Sequence, residues 1–190
     1  LPIKSIVMKK NFILSFVAAG CMCFTAHAQP ALQWQKCLGG TRFDDVNDVQ
    51  RTADGGYVVW GYSESNDGDA TFNHGLGWDD WLVKLTPSGG VQWQKSYGGS
   101  GDEIAATIRQ TSDGGYLCAG GRTSDDGDVS GNHGGNDAWV LKLAPDGTVQ
   151  WQKCLGGSGE DYVQAMQLTI DGGCILACYT DSYDGDVTGN

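Results

Sequence analysis

The chain has 190 residues, a formal net charge of −11 and seven tryptophans, with 30 glycines against only four prolines. All 23 acidic residues follow Ala28, so the chain beyond that residue carries nine basic and 23 acidic side chains, a net charge of −14. Such a surface repels phosphate groups, which argues against nucleic acid and anionic membranes as partners. Frequent Gly-Gly and Asp-Gly steps between short apolar runs favour turn-rich β structure over helices.

The first 28 residues have the pattern of an export signal preceded by a short extension. Residues 8–10 (Met-Lys-Lys) form a basic start, residues 12–24 are mostly apolar, and residues 26–28 (Ala-His-Ala) have the small-x-small pattern of a signal peptidase site. We therefore predict an upstream extension and signal peptide over residues 1–28 and an exported repeat region over residues 29–190. The apolar run is too short for a stable membrane span, so no membrane insertion is expected.

Cys21 offers an alternative processing site. Residues 18–21 (Ala-Ala-Gly-Cys) resemble a lipoprotein box, although Ala18 stands where a larger aliphatic residue is usual. The site ending at Ala28 has the better flanks, and we favour cleavage there. We expect a secreted protein or one on the outer cell surface, reached by transit through the periplasm.

A repeat of 58–59 residues occupies the rest of the chain. Trp34-Gln35-Lys36 recurs at 93–95 and 151–153, Asp54-Gly55-Gly56-Tyr57 at 113–116 and with a final cysteine at 171–174, and Asp67-Gly68-Asp69 at 126–128 and 184–186. A period of this length indicates a propeller, a solenoid or a tandem array.

Each unit contains four short runs typical of strands. In the middle unit they are residues 103–110, 116–122, 138–143 and 149–154, and tryptophan and leucine at 139, 141 and 143 alternate with their neighbours at the period of a strand. Four antiparallel strands per unit are the anatomy of a propeller blade. We predict an all-β fold of β-propeller-like, four-stranded antiparallel blades in about two and a half repeats. Propellers typically close with four to eight blades, so we expect a longer natural protein or an assembly of several chains.

The pattern resembles the tandem DGGY-type β-propeller repeats of proteins exported by Bacteroidota-like bacteria. The likeness lies in the Trp-Gln-Lys strand, the Asp-Gly-Gly-Tyr turn, the Asp-Gly-Asp loop and the Trp-x-x-Lys-Leu strand, and it covers Leu32 to Asn190. It implies a large secreted or surface-attached protein, in some cases carrying a sorting domain of the type IX secretion system. Residues 145–151 are also similar to the blade motif of quinoprotein dehydrogenases, which implies the fold and not a quinone cofactor.

Neither a catalytic nor a cofactor-binding residue is predicted, because the polar candidates obey the repeat. His74 and His133 occupy equivalent positions, and an acidic pair recurs near the start of the first strand of each unit, at 44–45, 102–103 and 160–161. The chain has no nucleophile elbow, phosphate loop or zinc-protease motif. We therefore expect a non-enzymatic protein that binds an unknown protein or a glycan. The alternative is the non-catalytic repeat region of a carbohydrate-active or oxidoreductase protein.

Three aromatic residues break the repeat in its first unit. Phe72 stands where the other units have glycine, Trp78 lies in a one-residue insertion before Asp79, and Trp60 stands where the other units have alanine. Phe72 and Trp78 share one long connection. Exposed aromatic rings there predict stacking on a sugar or a partner, with capping of the blade edge as the alternative.

The Asp-Gly-Asp loop of the second unit has the oxygen spacing of a calcium loop. Positions 1, 3, 5, 7 and 12 hold Asp126, Asp128, Ser130, Asn132 and Asp137, with glycine at position 6. The third unit repeats the opening with Asp184, Asp186 and Thr188, whereas Phe72 replaces the glycine in the first unit. These residues are predicted to bind calcium, and the alternative is an Asp-Gly turn whose side chains cap their own backbone.

The five cysteines beyond the leader are predicted to be free thiols. Cys37 and Cys154 occupy one repeat position, at which the middle unit has Ser96, and Cys118 aligns with apolar strand residues. Cysteine therefore replaces small or apolar residues rather than forming a disulfide framework.

Overall fold

The computed structural model describes residues 3–8, 31–75 and 77–188, with residues 3–8 described by their backbone only. The described residues form strands and turns without any helix, and therefore none that would cross a membrane. The strands are β1 Ile3–Met8, β2 Leu32–Leu38, β3 Asp44–Arg51, β4 Tyr57–Ser63, β5 Asp79–Leu85, β6 Val91–Tyr97, β7 Glu103–Gln110, β8 Tyr116–Arg122, β9 Asp137–Leu143, β10 Val149–Leu155, β11 Asp161–Leu168 and β12 Cys174–Thr180.

The strands form the blades that the repeat predicts. Strands β3 to β6 make one four-stranded antiparallel sheet in chain order, β7 to β10 make a second, and β11 and β12 make an antiparallel pair. We call the two full sheets blade 1 and blade 2. The all-β, propeller-like fold is confirmed, and the strands predicted for the middle unit begin and end within one residue of the observed ones.

The Asp-Gly-Gly turn is held by contacts that explain its repetition. Between β3 and β4, Gly55 has a φ of +82°, which favours glycine, and the Asp54 carboxylate accepts a hydrogen bond from the Gly56 N–H at 3.0 Å. The lysine of the Trp-x-x-Lys-Leu strand, Lys84, lies 2.8 Å from the same carboxylate. Two motifs 30 residues apart in sequence are therefore two sides of one contact, and blade 2 repeats it.

The core lies between the blades as well as within them. Trp81 and Trp139 are fully buried in equivalent positions, and each indole N–H donates to a glutamine on the neighbouring fourth strand at 2.8 Å, as the repeat predicts. Trp60 is also buried, and its indole N–H points to the carbonyl of Ala119 in blade 2 at 3.4 Å. Its large ring fills the interface between the two blades.

Strand β2 lies against blade 1 as β6 lies against blade 2. The Trp34 indole N–H donates to the Pro87 carbonyl at 3.3 Å, and the ring packs on Gly89 in the turn between β5 and β6. In the next unit, the Tyr97 hydroxyl donates to the Gly147 carbonyl at 2.6 Å in the equivalent turn. Strand β2 therefore occupies, relative to blade 1, the position that the fourth strand β6 occupies relative to blade 2.

A cleaved leader is predicted to pack poorly on the repeats. Strand β1, which lies ahead of the predicted cleavage site, instead pairs with β2 in parallel. The edge of β2 offers unpaired backbone N–H and C=O groups, and any extended segment can pair with such an edge. The predicted apolar signal segment, residues 12–24, lies outside the described residues.

The thiols that follow the predicted leader are free. Cys118 and Cys154 are buried, Cys174 is partly buried, and Cys37 and Cys178 are exposed. Burial raises the pKa of the Cys118 thiol well above its usual value, which makes it unreactive at neutral pH.

Candidate functional site

The Asp-Gly-Asp loops hold the Gly-Gly connection that leads into each blade. In blade 2 the Asp126 carboxylate accepts a hydrogen bond from the Ser100 N–H at 2.7 Å, and the Asp128 N–H donates to the Gly98 carbonyl at 2.9 Å. Gly127 between them has a φ of +65°, and a Cβ atom there would lie 2.4 Å from that carbonyl oxygen. The loop and the connection therefore pack backbone against backbone.

The third unit repeats this arrangement with the second set of predicted calcium ligands. The Asp184 carboxylate accepts from the Ser158 N–H at 2.7 Å, and the Asp186 N–H donates to the Gly156 carbonyl at 2.8 Å. Thr188, which follows them, is exposed. The first unit has the same contacts, so Phe72 does not disturb them.

The repeated acidic residue at the start of each first strand is also structural. The Glu103 carboxylate accepts a hydrogen bond from the Gly99 N–H at 2.9 Å, and the Asp161 carboxylate accepts from the Gly157 N–H at 2.9 Å. Both carboxylates are buried, because the backbone N–H groups of the Gly-Gly connection face them. These hydrogen bonds account for an acidic residue at this position in every unit.

The predicted calcium ligands of the second unit contact different parts of the protein. Asp126 faces Ser100, and the hydrogen bond from the Ser100 N–H lowers the pKa of the Asp126 carboxyl. The buried Asp137 carboxylate accepts from the N–H of His133 at 3.0 Å and lies 2.6 Å from its Nδ1. The remaining candidates have these partners: Asp128 lies 3.6 Å from His74 Nε2, Ser130 bonds Gln152, and Asn132 donates to the carbonyls of Arg122 and Ser124.

These contacts are the ones expected if the loop is an Asp-Gly turn whose side chains hydrogen-bond to the protein itself. Across residues 31–75 and 77–188, no three His, Cys, Asp or Glu side chains form a group that could hold a metal ion. Calcium binding by the loop stays a prediction. A bound cation would have to compete with the Ser100 contact for the Asp126 carboxylate and with the His133 contacts for the Asp137 carboxylate.

Calorimetric titration with calcium tests that prediction. The ligand spacing gives an expected dissociation constant on the order of 10⁻⁴ to 10⁻³ M, as in extracellular modules. Asp128→Asn should abolish the heat, whereas Asp113→Asn, at an exposed turn on the other end of the blade, should leave it unchanged. If millimolar calcium gives no heat and does not raise the melting temperature, the loop is a turn only.

The two histidines occupy matching environments, as the repeat predicts. His74 Nδ1 lies beside the buried Asp79 carboxylate, and His133 Nδ1 lies beside Asp137. In both units the backbone N–H of the histidine donates to the same carboxylate. A pair that recurs with the same bonds in each blade holds the loop before the third strand.

A buried ionic cluster at the junction of the two blades escaped sequence reasoning. Asp79 and Asp80 begin β5, Glu103 begins β7 and Arg122 ends β8, and all four side chains are fully buried. The Arg122 guanidinium lies 4.2 Å above the Trp139 ring, and its Nη2 donates to the Cys154 sulfur at 3.4 Å.

The cluster holds three acidic groups and one basic group away from water. Burial raises the pKa of Asp80 well above its ordinary value, with Glu103 adding to the effect and Arg122 opposing it. Burial likewise lowers the pKa of Arg122 to about 10. Both oxygens of Asp80, together with Nε and Nη1 of Arg122, have no hydrogen-bond partner among the described residues.

Repeat alignment carries the signal that reveals this cluster. Asp80 stands where β9 has Ala138, and Arg122 stands where β4 has Ser63 and β12 has Thr180. A carboxylate and a guanidinium that replace small residues in neighbouring units indicate a pair specific to one junction.

Three aromatic side chains meet at one end of blade 1, where β3 and β5 begin and β4 ends. We call Phe43, Tyr62 and Trp78 the aromatic cluster. Ring centroids lie 5.4 Å apart for Tyr62 and Trp78, 6.0 Å for Phe43 and Tyr62, and 6.3 Å for Phe43 and Trp78. Phe43 is 37% exposed and the other two are partly buried. The sequence singled out Trp78, whereas Phe43 and Tyr62 were missed.

Carboxylates fix the polar edges of these rings. The Trp78 indole N–H donates to Glu64, and the Tyr62 hydroxyl donates to Asp45 at 3.4 Å. The backbone N–H of Trp78 donates to Asp102 in the connection to blade 2 at 3.1 Å. Burial and the nearby Asp45 carboxylate raise the pKa of Tyr62, so its hydroxyl stays a donor.

Phe72, on the same connection, has a strained backbone. Its φ is +88°, and no other non-glycine residue among the described ones has a positive φ. The side chain is 71% exposed. A left-handed conformation costs a residue with a Cβ roughly 1–2 kcal/mol, and exposure of the ring adds no packing to offset that cost.

The connection around Phe72 is tied to the aromatic cluster on both sides. The Asn73 side-chain amide donates to the carbonyls of Ser63 and Gly77, each at 2.9 Å. These two residues adjoin Tyr62 and Trp78 in sequence. Phe72 therefore belongs to the same end of blade 1 as the aromatic cluster.

Comparison with known proteins adds no family. The sequence matches no family model, and no curated protein matches it.

Proposed function

We propose that the chain is part of an exported, non-enzymatic β-propeller scaffold that binds a partner at the cell surface. The observation that carries this proposal is the departure from repeat symmetry at one end of blade 1. There, Phe72 and the aromatic cluster stand at positions where the second unit has small or polar residues. A binding site for a single partner needs such a departure. The exposure of Phe72 distinguishes it from the buried departures at Trp60 and Arg122, which pack the two blades against each other.

The hydrogen bonds of the repeated polar residues support a scaffold rather than an enzyme. His74 and His133 each bond the aspartate that begins the third strand of their own unit. The acidic residues at the start of the first strands accept hydrogen bonds from backbone N–H groups. Groups occupied in this way maintain the loops. The acidic sequence beyond Ala28 supports an exported, soluble surface.

The experiment exposes the purified chain to immobilised glycans and to surface proteins, and it measures polysaccharide turnover in parallel. We expect saturable binding of one class of partner without turnover, and a mature chain that begins at Gln29 by mass spectrometry. Turnover of a polysaccharide that a single carboxylate substitution abolishes would overturn the proposal in favour of an enzyme.

A further inference from the structure

We infer that the end of blade 1 formed by Phe72 and the aromatic cluster binds a cationic side chain, arginine or lysine, of a partner protein. This inference rests on the proposed binding function and names the chemistry of the partner. It follows from three features of this end: an aromatic surface, a strained exposed ring and uncompensated negative charge.

The aromatic surface is continuous and held in place. The three rings of the aromatic cluster contact one another, and hydrogen bonds to Glu64 and Asp45 fix the edges of Trp78 and Tyr62. Rings fixed by their edges lose little conformational freedom when a ligand stacks on them.

Phe72 is an unfavourable residue for the isolated protein. The equivalent position in the second unit is Gly131, which has a φ of +80° and no penalty for it. A phenylalanine there has a strained backbone and is 71% exposed, so it stabilises neither the local backbone conformation nor the core. Strain that the fold does not require points to a role in binding.

The carboxylates around the aromatic cluster lack basic partners. Asp45, Glu64 and Asp102 accept hydrogen bonds from neutral donors, and none of them takes part in an ion pair among the described residues. Arg42, next to Phe43 in the sequence, is a basic residue at this end and takes part in no ion pair among the described residues. The three carboxylates outnumber it, so an excess of negative charge is available to an incoming cation.

Charge distinguishes a cationic ligand from a neutral sugar at this surface. A guanidinium or ammonium group gains from the π faces of the rings and from the carboxylates at their edges, whereas a sugar gains from stacking alone. The net charge of −14 beyond Ala28 further favours a basic partner at longer range. The observations therefore favour a basic protein segment over a glycan.

The test titrates the purified chain with a hexa-arginine peptide and with the same peptide in which citrulline replaces every arginine. Citrulline keeps the shape of arginine but removes its charge. We expect binding of the arginine peptide that weakens at least tenfold as salt rises from 50 to 500 mM, and at least tenfold weaker binding of the citrulline peptide.

Two variants locate the binding at blade 1. Phe72→Gly restores the residue of the other units, so it should raise the melting temperature while weakening arginine-peptide binding at least fivefold. Glu64→Gln should weaken binding several-fold, whereas Asp146→Asn, an equal change of charge at an exposed turn of blade 2, should leave it unchanged. Trp151→Ala, which removes an exposed tryptophan elsewhere, is the control for the aromatic contribution.

The outcomes separate this inference from the proposed function. Equal binding by Phe72→Gly, Glu64→Gln and the unchanged chain would show general attraction to an acidic surface and overturn the inference. Equal binding of the citrulline peptide, or salt-insensitive binding of a neutral oligosaccharide lost in Phe72→Gly, would overturn the cationic partner and leave the scaffold function standing. Absence of binding to every probe of either experiment would overturn both.

Discussion

Replacing Arg122 with serine is expected to lower the free energy of unfolding by about 3–5 kcal/mol. Arg122 is the cation among three buried carboxylates, Asp79, Asp80 and Glu103, at the junction of the two blades. Its loss leaves their charge uncompensated away from water and removes the stacking on Trp139. Chemical unfolding followed by tryptophan fluorescence measures the loss.

The repeat itself supplies the matched variant. Alanine stands at the position of Asp80 in β9, and serine stands at the position of Arg122 in β4. The double variant Asp80→Ala/Arg122→Ser should therefore lose at least 1 kcal/mol less than the sum of the single losses. Additive losses would show that the two groups stabilise the junction independently.

The loss should also depend on pH. Burial raises the pKa values of Asp80 and Glu103, so folding favours their protonated forms. The destabilisation from ionised carboxylates is absent below the ordinary carboxyl pKa of about 4 and is complete above the raised values. Arg122→Ser should thus be less destabilising at pH 4 than at pH 8. An equal loss at both values would contradict the electrostatic explanation.

Gly127→Ala is expected to cost about 3–4 kcal/mol, against about 1–2 kcal/mol for Gly114→Ala in the same blade. Both glycines have positive φ, +65° and +82°. A Cβ atom on Gly127 would lie 2.4 Å from the Gly98 carbonyl, whereas the nearest atom to one on Gly114 lies 3.7 Å away. Only Gly127→Ala therefore breaks the bond from Asp128 to that carbonyl.

Urea denaturation of the two variants side by side measures this difference. Because backbone strain is common to both, the excess loss isolates the contact between the Asp-Gly-Asp loop and the Gly-Gly connection. Equal losses would show that this contact contributes little to stability.

Sequence periodicity predicts the blades because the pattern of each strand depends only on residues close together in the sequence. Alternation at β9 and the Asp-Gly-Gly and Pro-Asp-Gly turns depend on neighbouring residues, so strand bounds were predictable to within a residue. Pairing across long separations was not. The Asp126 carboxylate accepts a hydrogen bond from the Ser100 N–H, 26 residues away, and neither segment has a sequence pattern that indicates the other as its partner. The calcium prediction therefore rested on the spacing of the side-chain oxygens, because their hydrogen-bond partners within the protein could not be predicted.

The site at blade 1 was partly predictable for the same reason. Phe72 and Trp78 stand out because they break the repeat within one connection. Phe43 lies 35 residues before Trp78 and joins it only because β3 and β5 begin at the same end of the blade. Asp80, next to Asp79, looks like an exposed charge at a strand entry until its burial beside Arg122 is known.

The electrostatic interaction between Asp80 and Arg122 has a consequence for how such arrays change by recombination. The connection into each unit is held by the same Asp-Gly-Asp contacts, so a unit gained or lost in frame meets its neighbours through contacts already in place. Arg122 is an exception, because it needs a preceding unit with a carboxylate at the position of Asp80. After a unit with alanine there, such as the second, it would lose that partner. Charge therefore imposes an order on blades 1 and 2 that their shapes alone do not.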